Sequence, residues 1–174
     1  MKYNHFGFPS LILSAVCLSM MLSACGSVPI KGNDARAYAR VKEWRSALDL
    51  RSLENQYDLP RGLLSAVMHQ ESGGKANARS GVGAQGLFQI MPATARDLNL
   101  VSAYHPEPAA QAAAQYLSQL YKRYNKDLTL TLAAYNWGMG RVDRYVDRGD
   151  AFENMPKETQ TYITRVNKLR KYYN

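Results

Sequence analysis

The sequence lacks the residues on which metal sites and disulfide-stabilised domains depend. Its 174 residues include only 2 cysteines and 3 histidines, and it contains neither an HExxH motif nor a cysteine pair at zinc-ligand spacing. It also lacks the G-x-S-x-G motif of serine hydrolases. The glycine-rich run 81-GVGAQG-86 is not framed by a βαβ unit, so we expect a flexible loop there. We therefore expect no cofactor and no bound metal.

No apolar run is long and unbroken enough for a stable membrane span. The best candidate, residues 6–22, is interrupted by a proline and by serines. Because Lys2 precedes this run and small residues follow it, we predict a secretory signal peptide over residues 1–24. The ending LSAC resembles the bacterial lipobox, which implies that Cys25 is diacylated and becomes the new N-terminus. A secreted protein without lipid is the alternative.

Removal of the signal peptide leaves one cysteine, since Cys17 lies inside it. No intramolecular disulfide can then form, and the fold must depend on its hydrophobic core. Residues 25–34 are predicted to be the lipidated N-terminus and a tether that extends to about 30 Å. Gly26, where an Asp would retain the protein at the inner membrane, resembles lipoproteins of the outer membrane. We expect a lipid-anchored protein of the bacterial cell envelope, facing the periplasm.

Acidic residues are outnumbered by basic ones. The sequence has 14 Asp and Glu and 22 Lys and Arg, which gives a formal net charge of +8. Loss of Lys2 with the signal peptide reduces +8 to +7. Such an excess is compatible with nucleic acid, an anionic membrane or an acidic polymer as partner, or with a merely soluble basic surface. No DNA- or RNA-binding motif is present, so we expect no nucleic-acid partner.

From residue 35 onward the apolar spacing is helical. It predicts helices over residues 35–57, 63–72, 92–98, 106–124, 128–138, 141–145 and 156–173, with a loop over residues 73–89. The Leu-Thr alternation near residue 130 also fits a strand, but Asp127 as an N-cap favours a helix. These elements indicate one mainly helical domain over residues 35–174.

One carboxyl group lies at the inner end of an apolar helix face. Four residues share that face at helical spacing: Leu64, Val67, Met68 and Glu71. Loss of hydration there raises the pKa of the Glu71 carboxyl, and the negative end of the helix acts in the same direction. Glu71 is then a candidate general acid near neutral pH, and a solvated helix end is the alternative. His69 is expected on the helix surface.

Four blocks of sequence resemble, in order, the motifs of the soluble-lytic-transglycosylase family, relatives of goose-type lysozyme. They are 70-QES-72, 80-SGVGAQGLFQIMP-92, 134-AYNWG-138 and 158-ETQTY-162. Two residues depart from the family pattern. Phe88 replaces a usual Met, and Trp137 replaces the small residue of AYNAG. The indole of Trp137 could stack on a sugar, narrow the cleft or pack inward.

The resemblance implies a single lysozyme-like helical domain with a glycan-binding cleft. It implies that Glu71 is the catalytic acid and later the base, and that Tyr162 hydrogen-bonds it. The residues that it implies for substrate binding are Ser72, Ser80, Gln89, Tyr135, Asn136 and Tyr162. Four of them have a structural alternative: a core aromatic for the two tyrosines, a loop-capping amide for Gln89 and a helix-end residue for Ser72.

The resemblance further implies cleavage of the β-1,4 bond between N-acetylmuramic acid and N-acetylglucosamine in peptidoglycan without water, giving a 1,6-anhydro end. Ordinary glycosidases use two carboxyl groups, and beside Glu71 we assign no second one to the cleft. The alternatives are a muramidase, which needs a base for its water, and a non-catalytic glycan-binding lipoprotein. The expected partners are peptidoglycan strands and, through the lipid, the membrane; a partner from an envelope machine is left open, and the sequence does not identify one.

Overall fold

The computed structural model describes residues 31–174. The predicted signal peptide, Cys25 and most of the predicted tether lie outside these described residues. Within them, no helix has both the length and the apolar character that crossing a membrane requires.

Residues 31–174 form eight α-helices and one short 3₁₀ helix, and no named strand occurs among them. The α-helices are α1 Asn33–Ala47, α2 Leu50–Gln56, α3 Leu63–Ser72, α4 Pro92–Asp97, α5 Pro106–Arg123, α6 Leu128–Trp137, α7 Met139–Asp147 and α8 Lys157–Tyr173, and the 3₁₀ helix is Phe152–Asn154. The prediction of a mainly helical fold is confirmed. Helix α1 begins two residues before the predicted domain boundary at Ala35.

The prediction of a single helix over residues 35–57 is wrong, because two helices, α1 and α2, occupy this segment and a turn separates them. Asp49 adopts a left-handed conformation with φ of 42°, which few residues other than glycine, Asn and Asp tolerate. Its side chain accepts a hydrogen bond from the Ser52 amide at 3.3 Å and so caps α2. An Asp that both turns the chain and caps the next helix outweighs the continuous apolar spacing.

Helix α3 lies in the centre of the domain and contacts α1, α2, α5 and α8. Its residues from Leu63 to His69 are all buried, so the helix is enclosed on nearly every side rather than on one apolar face. The predicted surface position of His69 is wrong. Only 3% of His69 is exposed, and its Nδ1 lies 2.7 Å from the hydroxyl of Tyr173, because α8 packs over that side of α3.

A buried carboxylate that the sequence analysis missed holds the beginning of α3. Glu54 on α2 is 1% exposed and accepts hydrogen bonds from the amides of Gly62 at 2.9 Å and Leu64 at 3.0 Å. Gly62 is the N-cap of α3 and Leu64 lies in its first turn, so neither amide has a partner within the helix. Burial raises the pKa of the Glu54 carboxyl, and the two amide hydrogen bonds oppose that rise. The N-terminal end of α3 is thus fixed against α2.

The helical interpretation of residues 128–138 is confirmed as α6, and the strand alternative is wrong. Asp127 caps the helix by accepting from the Leu130 amide at 3.0 Å. Helix α5 packs against α6 and presents small side chains that permit a close approach. The buried alanines of α5 are Ala109, Ala110, Ala112, Ala113 and Ala114. Asn136 near the end of α6 and Glu71 near the end of α3 line the same cavity.

Candidate active site

Glu71 lies in the last turn of α3, and the turn that follows is anchored to α1. Gly73 ends the helix in a left-handed conformation with φ of 59°. The Arg40 Nε donates a hydrogen bond to the Gly73 carbonyl at 2.7 Å, and the Trp44 Nε1 donates one to the Gly74 carbonyl at 3.0 Å. A Cβ on Gly74 would lie 2.9 Å from the Arg40 Cβ, so only glycine permits this contact. Both ends of α3 are therefore held by neighbouring helices.

The Glu71 carboxyl receives a hydrogen bond from the hydroxyl of Tyr162 on α8. The Tyr162 oxygen lies 2.7 Å from Glu71 Oε1, so the expected contact is present. Burial raises the pKa of Glu71 to about 7, although the Tyr162 hydrogen bond acts in the opposite direction. The predicted raised pKa of Glu71 is thus found. At neutral pH such a group can both donate and accept a proton.

Two adjoining cavities form a cleft over Glu71. The first has a volume of about 410 Å³ and is lined by Glu71 and Tyr162, among others. The second has a volume of about 500 Å³ and is lined by Gln89, Tyr135, Trp137 and residues around them. Asn136 lines both cavities. The cleft therefore continues past Asn136 on either side, which is the shape that a linear chain of sugars needs.

Two of the cleft residues of α6, Tyr135 and Asn136, are held by hydrogen bonds to other segments. The Tyr135 hydroxyl donates to the Phe88 carbonyl at 2.8 Å. Asn136 Oδ1 accepts from the Thr159 hydroxyl at 3.0 Å and so links α6 to α8. Burial, with the nearby Glu71 carboxyl, raises the pKa of Tyr135 well above its ordinary value. Tyr135 therefore stays a neutral hydrogen-bonding group.

The loop before α4 is held in a compact form by Gln89. Its φ is 47°, and its Nε2 donates to the carbonyls of Ala78 at 3.2 Å and Gly86 at 3.0 Å. A Cβ on Gly86 would lie 1.8 Å from the Ala103 carbonyl oxygen, so only glycine fits there. The capping alternative for Gln89 is present in the structure, and the same residue also lines the second cavity.

The two serines predicted to bind substrate lie away from the lining of the cleft. Ser72 is 9% exposed; its hydroxyl donates to the Leu87 carbonyl at 2.8 Å and accepts from the Gly74 amide at 3.1 Å. The Ser80 hydroxyl accepts from the Ala84 amide at 2.9 Å. Neither serine lines either cavity of the cleft. Their positions support a role in shaping the loop and give no support to the predicted substrate contact.

Trp137 packs on α7 and borders the cleft. Its indole meets the ring of Tyr145 edge-on, with centroids 6.4 Å apart, and it also lines the second cavity. The two alternatives that involve the cleft, sugar stacking and narrowing, stay predictions. Phe88, the other departure from the family pattern, is fully buried, so it belongs to the core beneath the cleft.

Glu158 is a cleft residue that the sequence analysis left without a role. It is exposed and lines the first cavity together with Glu71. The signal was available, because Glu158 precedes Tyr162 by four residues and thus shares its face of the helix. The earlier view that the cleft has no second carboxyl group is therefore corrected. Across residues 31–174, no group of three or more His, Cys, Asp or Glu side chains is placed to hold a metal ion.

Comparison with known proteins relates the fold and the cleft to one family. Residues 50–156 match the family described as Transglycosylase SLT domain. The chain is 39% identical over 88 residues to the Transglycosylase of Enterobacteria phage PRD1, and the aligned region covers 51% of this chain and 33% of the phage protein. It is 30% identical over 134 residues to the Soluble lytic murein transglycosylase of Escherichia coli strain K12, and this aligned region covers 67% of this chain and 21% of that protein.

A solved structure is similar as well, that of an inactive mutant of the lytic transglycosylase Slt from Pseudomonas aeruginosa. The TM-score is 0.60 at 29% sequence identity, over 71% of this chain and 23% of the other. The chain thus spans a third or less of each of these relatives. The family match includes Glu71 and Asn136, whereas α1 and Tyr162 lie outside its bounds.

Proposed function

The chain belongs to the family of Transglycosylase SLT domains, and from this premise we propose that it is a peptidoglycan lytic transglycosylase. It cleaves the β-1,4 bond between N-acetylmuramic acid and N-acetylglucosamine and leaves a 1,6-anhydro end on the muramoyl residue. The observation that carries the proposal is Glu71 at the floor of the cleft, with a pKa of about 7 and a hydrogen bond from Tyr162.

Glu71 can serve both steps of this reaction. In the first, its protonated carboxyl donates to the glycosidic oxygen, the bond from that oxygen to the muramoyl C1 breaks, and the N-acetylglucosamine end leaves as an alcohol. In the second, ionised Glu71 takes the proton of the muramoyl C6 hydroxyl, whose oxygen bonds to C1. The carboxyl is protonated again at the end, and no water is consumed. A pKa near the working pH favours both transfers.

The nucleophile is part of the substrate, which explains why one carboxyl group suffices. An internal hydroxyl held near its target has an effective concentration of roughly 10⁵ M or more. Tyr162 binds Oε1 of Glu71, which directs the carboxyl and leaves the other oxygen for the proton transfers. Tyr135 and Asn136 line the cleft, and Gln89 holds the loop beside it.

Mass spectrometry of the released muropeptides tests the reaction. Residues 26–174 are incubated with purified peptidoglycan, with Glu71→Gln as the matched inactive variant. We expect products that are lighter by one water than reducing muropeptides, and none from Glu71→Gln. Release of anhydro products by the Glu71→Gln variant would remove Glu71 from its role. Binding without any release would favour the glycan-binding lipoprotein instead.

A muramidase is the second candidate, because Glu158 lines the cavity of Glu71 and could activate a water. Inverting glycosidases use a second carboxylate in this way. That reaction gives muropeptides with reducing ends, and the same mass spectra distinguish them from anhydro products, which are lighter by one water. For the transglycosylase we expect Glu158→Gln to keep making anhydro products. Reducing ends that disappear in Glu158→Gln would instead establish the muramidase.

The lipid anchor and the outer-membrane location also belong to the proposal, with the LSAC sequence at Cys25 and Gly26 as their support. Residues 26–32 separate Cys25 from α1 and reach about 25 Å when extended, so the cleft would work close to the membrane. Membrane fractionation of wild type and Cys25→Ala tests this part. We expect Cys25→Ala to leave the membrane fraction, and its retention there would contradict lipidation at this residue.

A further inference from the structure

A pocket lies beside the beginning of α1, on the far side of α3 from the cleft. Its volume is about 480 Å³, and residues of α1, α3, α8 and the turn after α3 line it. We call it the α1 pocket. His69 and Ser72 of α3 line the α1 pocket, whereas Gln70 and Glu71 line the cleft. At 3.6 residues per turn these two pairs point to opposite sides of the helix, so α3 separates the α1 pocket from the site of the proposed reaction.

Positive charge dominates the α1 pocket. Its lining includes four basic residues, Arg36, Arg40, Lys75 and Arg165, and one acid, Asp34. Arg165 pairs with Asp34 at 2.6 Å, so these two charges compensate each other. Arg40 donates to a backbone carbonyl, which is neutral, and the side chains of Arg36 and Lys75 have no ion pair or hydrogen bond within residues 31–174. Of the four positive charges, the three that remain are uncompensated.

The lining of the α1 pocket also contains a buried imidazole nitrogen that makes no hydrogen bond. His69 is 3% exposed; burial lowers its pKa, and Asp34 opposes this shift, so the ring is neutral at pH 7. The Tyr173 hydroxyl, 2.7 Å from Nδ1, donates to that nitrogen, since the opposite assignment would leave its own buried proton without an acceptor.

The ring proton of His69 therefore lies on Nε2. This nitrogen has no hydrogen-bond partner within residues 31–174 and lies 3.6 Å from the carboxylate of Asp34, another residue of the pocket. A buried donor without an acceptor is destabilising. An oxygen of a bound ligand beside Asp34 would supply the missing acceptor.

The beginning of α1 adds a further attraction for an anion. Asn33 and Asp34 of its first turn line the pocket, and the N-cap, Gly32, makes no side-chain hydrogen bond to the free amides. The positive end of this helix of 15 residues favours a negative group. A tetrahedral phosphate presents acceptor oxygens in several directions, which suits a lining of guanidinium, ammonium and imidazole donors. The neutral N-acetylated sugars of a glycan carry no such charge.

The position of the α1 pocket selects a membrane phospholipid as the source of the phosphate. Residues 26–32 separate Cys25 from α1 and reach about 25 Å when extended, so the lipid proposed at Cys25 keeps the pocket within reach of the headgroups. Each Lys or Arg near an anionic membrane raises binding roughly fivefold, and three raise it on the order of 100-fold. This role accounts for part of the basic excess of the chain, for which the sequence alone left several partners open.

We propose that the α1 pocket binds the phosphate group of an anionic membrane phospholipid and so docks the domain on the membrane with its cleft turned toward the cell wall. The inference rests on the lipid anchor proposed above, which brings the membrane near, and not on the reaction at Glu71. The pocket orients a chain that the lipid already holds. Physiological salt weakens such exposed contacts, so the pocket alone does not retain Cys25→Ala in the membrane fraction.

Flotation with lipid vesicles tests the inference with residues 26–174, the mature chain without its lipid, which includes every described residue. One set of vesicles contains equal parts of phosphatidylglycerol and phosphatidylcholine, and the other contains phosphatidylcholine alone, both at about 0.05 M salt, where the Debye length is long. The variants are Arg36→Gln and Lys75→Gln. Their control is Lys42→Gln, an equal loss of charge at an exposed position of α1 that does not line the pocket. Circular dichroism checks that all three are folded.

We expect wild type to bind the anionic vesicles and not the neutral ones. Arg36→Gln and Lys75→Gln should each lower the partition coefficient roughly fivefold, and Lys42→Gln should behave as wild type. A second readout needs no variant. Soluble dihexanoylphosphatidylglycerol should shift the Nε2 resonance of His69 in two-dimensional ¹H–¹⁵N spectra, whereas chloride at the same ionic strength should not.

Four results would overturn the inference. One is equal binding of wild type to the two sets of vesicles. Another is an equal loss of binding in Lys42→Gln and in the pocket variants, which would assign the attraction to net charge. The third is vesicle binding with no shift of the His69 resonance by the soluble lipid, which would place the contact elsewhere. The fourth is a shift by inorganic phosphate as large as the shift by the soluble lipid at the same concentration, which would make the pocket a site for free phosphate.

The neighbouring proposals are tested separately from this one. Anhydro muropeptides released by the same protein would leave the proposed reaction standing after any of the four results. Loss of Cys25→Ala from the membrane fraction would likewise leave the lipid anchor standing. Only the docking of the α1 pocket would then be rejected.

Discussion

Replacing Glu71 with glutamine should stabilise the protein at alkaline pH while abolishing its activity. Glutamine has the shape of the protonated carboxyl, and its Oε1 can still accept the hydrogen bond from Tyr162. Wild type must ionise Glu71 in a buried site as the pH rises, because burial raises the pKa to about 7 from an ordinary value of 4.5. The variant has no such group to ionise.

The sign and size of the effect follow from proton linkage. Between pH 4.5 and about 7 the folded protein binds more protons at Glu71 than the unfolded chain does, so the stability of wild type falls as the pH rises. With pKa values of 4.5 unfolded and about 7 folded, ionisation of Glu71 lowers the unfolding free energy of wild type by about 2.5 kcal/mol between pH 5 and pH 8. Other ionisable groups are common to both proteins and cancel in the difference. Relative to wild type, Glu71→Gln should therefore gain about 2.5 kcal/mol over this interval, or roughly 5 to 10 °C in Tm.

Urea denaturation followed by far-UV circular dichroism, at pH 5 and at pH 8, measures this difference. Glu158→Gln is the matched control, since its carboxyl lines the same cavity but is exposed to water; its difference from wild type should be the same at both pH values. A stability difference for Glu71→Gln that does not change with pH would refute the reasoning. Burial would then not hold the proton, and the physical basis for Glu71 as a general acid would be lost.

The remaining predictions concern the same acid and its supports. The kcat/KM of wild type should fall about tenfold per pH unit at pH values well above the Glu71 pKa of about 7, because the protonated carboxyl is the form that acts first. Initial rates of muropeptide release measure this fall. Tyr162→Phe should lower kcat about tenfold with little change in KM and should shift this alkaline limb upward, because the Tyr162 hydrogen bond lowers the Glu71 pKa; an unmoved limb would contradict it. Trp44→Phe keeps an aromatic ring but loses the donor to the Gly74 carbonyl, so the free energy of unfolding should fall by about 1 kcal/mol in urea titrations. An unchanged urea midpoint would show that this hydrogen bond contributes nothing.

Local signals in the sequence predicted most of the helices, because each is encoded by apolar spacing and by its first residues. Asp127 is an example, since one acidic side chain before an apolar run indicated where α6 begins. Asp49 shows the limit of that reasoning. The apolar spacing continues across it, and only the left-handed backbone at this residue separates α1 from α2. The periodicity of apolar residues does not indicate that one residue has a positive φ.

The parts of the site that escaped prediction depend on contacts between distant segments. Glu54 looked like any polar residue of an amphipathic helix until the first turn of α3 was placed against it. His69 was assigned to the surface because its neighbours in sequence suggested one apolar face, whereas α8 covers the other side. Ser72 and Ser80 lie in motifs, and a motif does not tell which of its members line a cavity and which shape the loop. Such distinctions require the tertiary structure.

The acid at the centre of the cleft is completed by helices that lie outside the family match at residues 50–156. Helix α1 donates hydrogen bonds to the carbonyls of Gly73 and Gly74, two and three residues after Glu71. Helix α8 supplies the Tyr162 hydroxyl and one wall of the cavity. Without α8, water would reach the carboxyl and its pKa would return toward the ordinary value, since burial is what raises it. The raised pKa of Glu71 therefore depends on α8, which lies outside the match, and the position of the turn after Glu71 depends on α1.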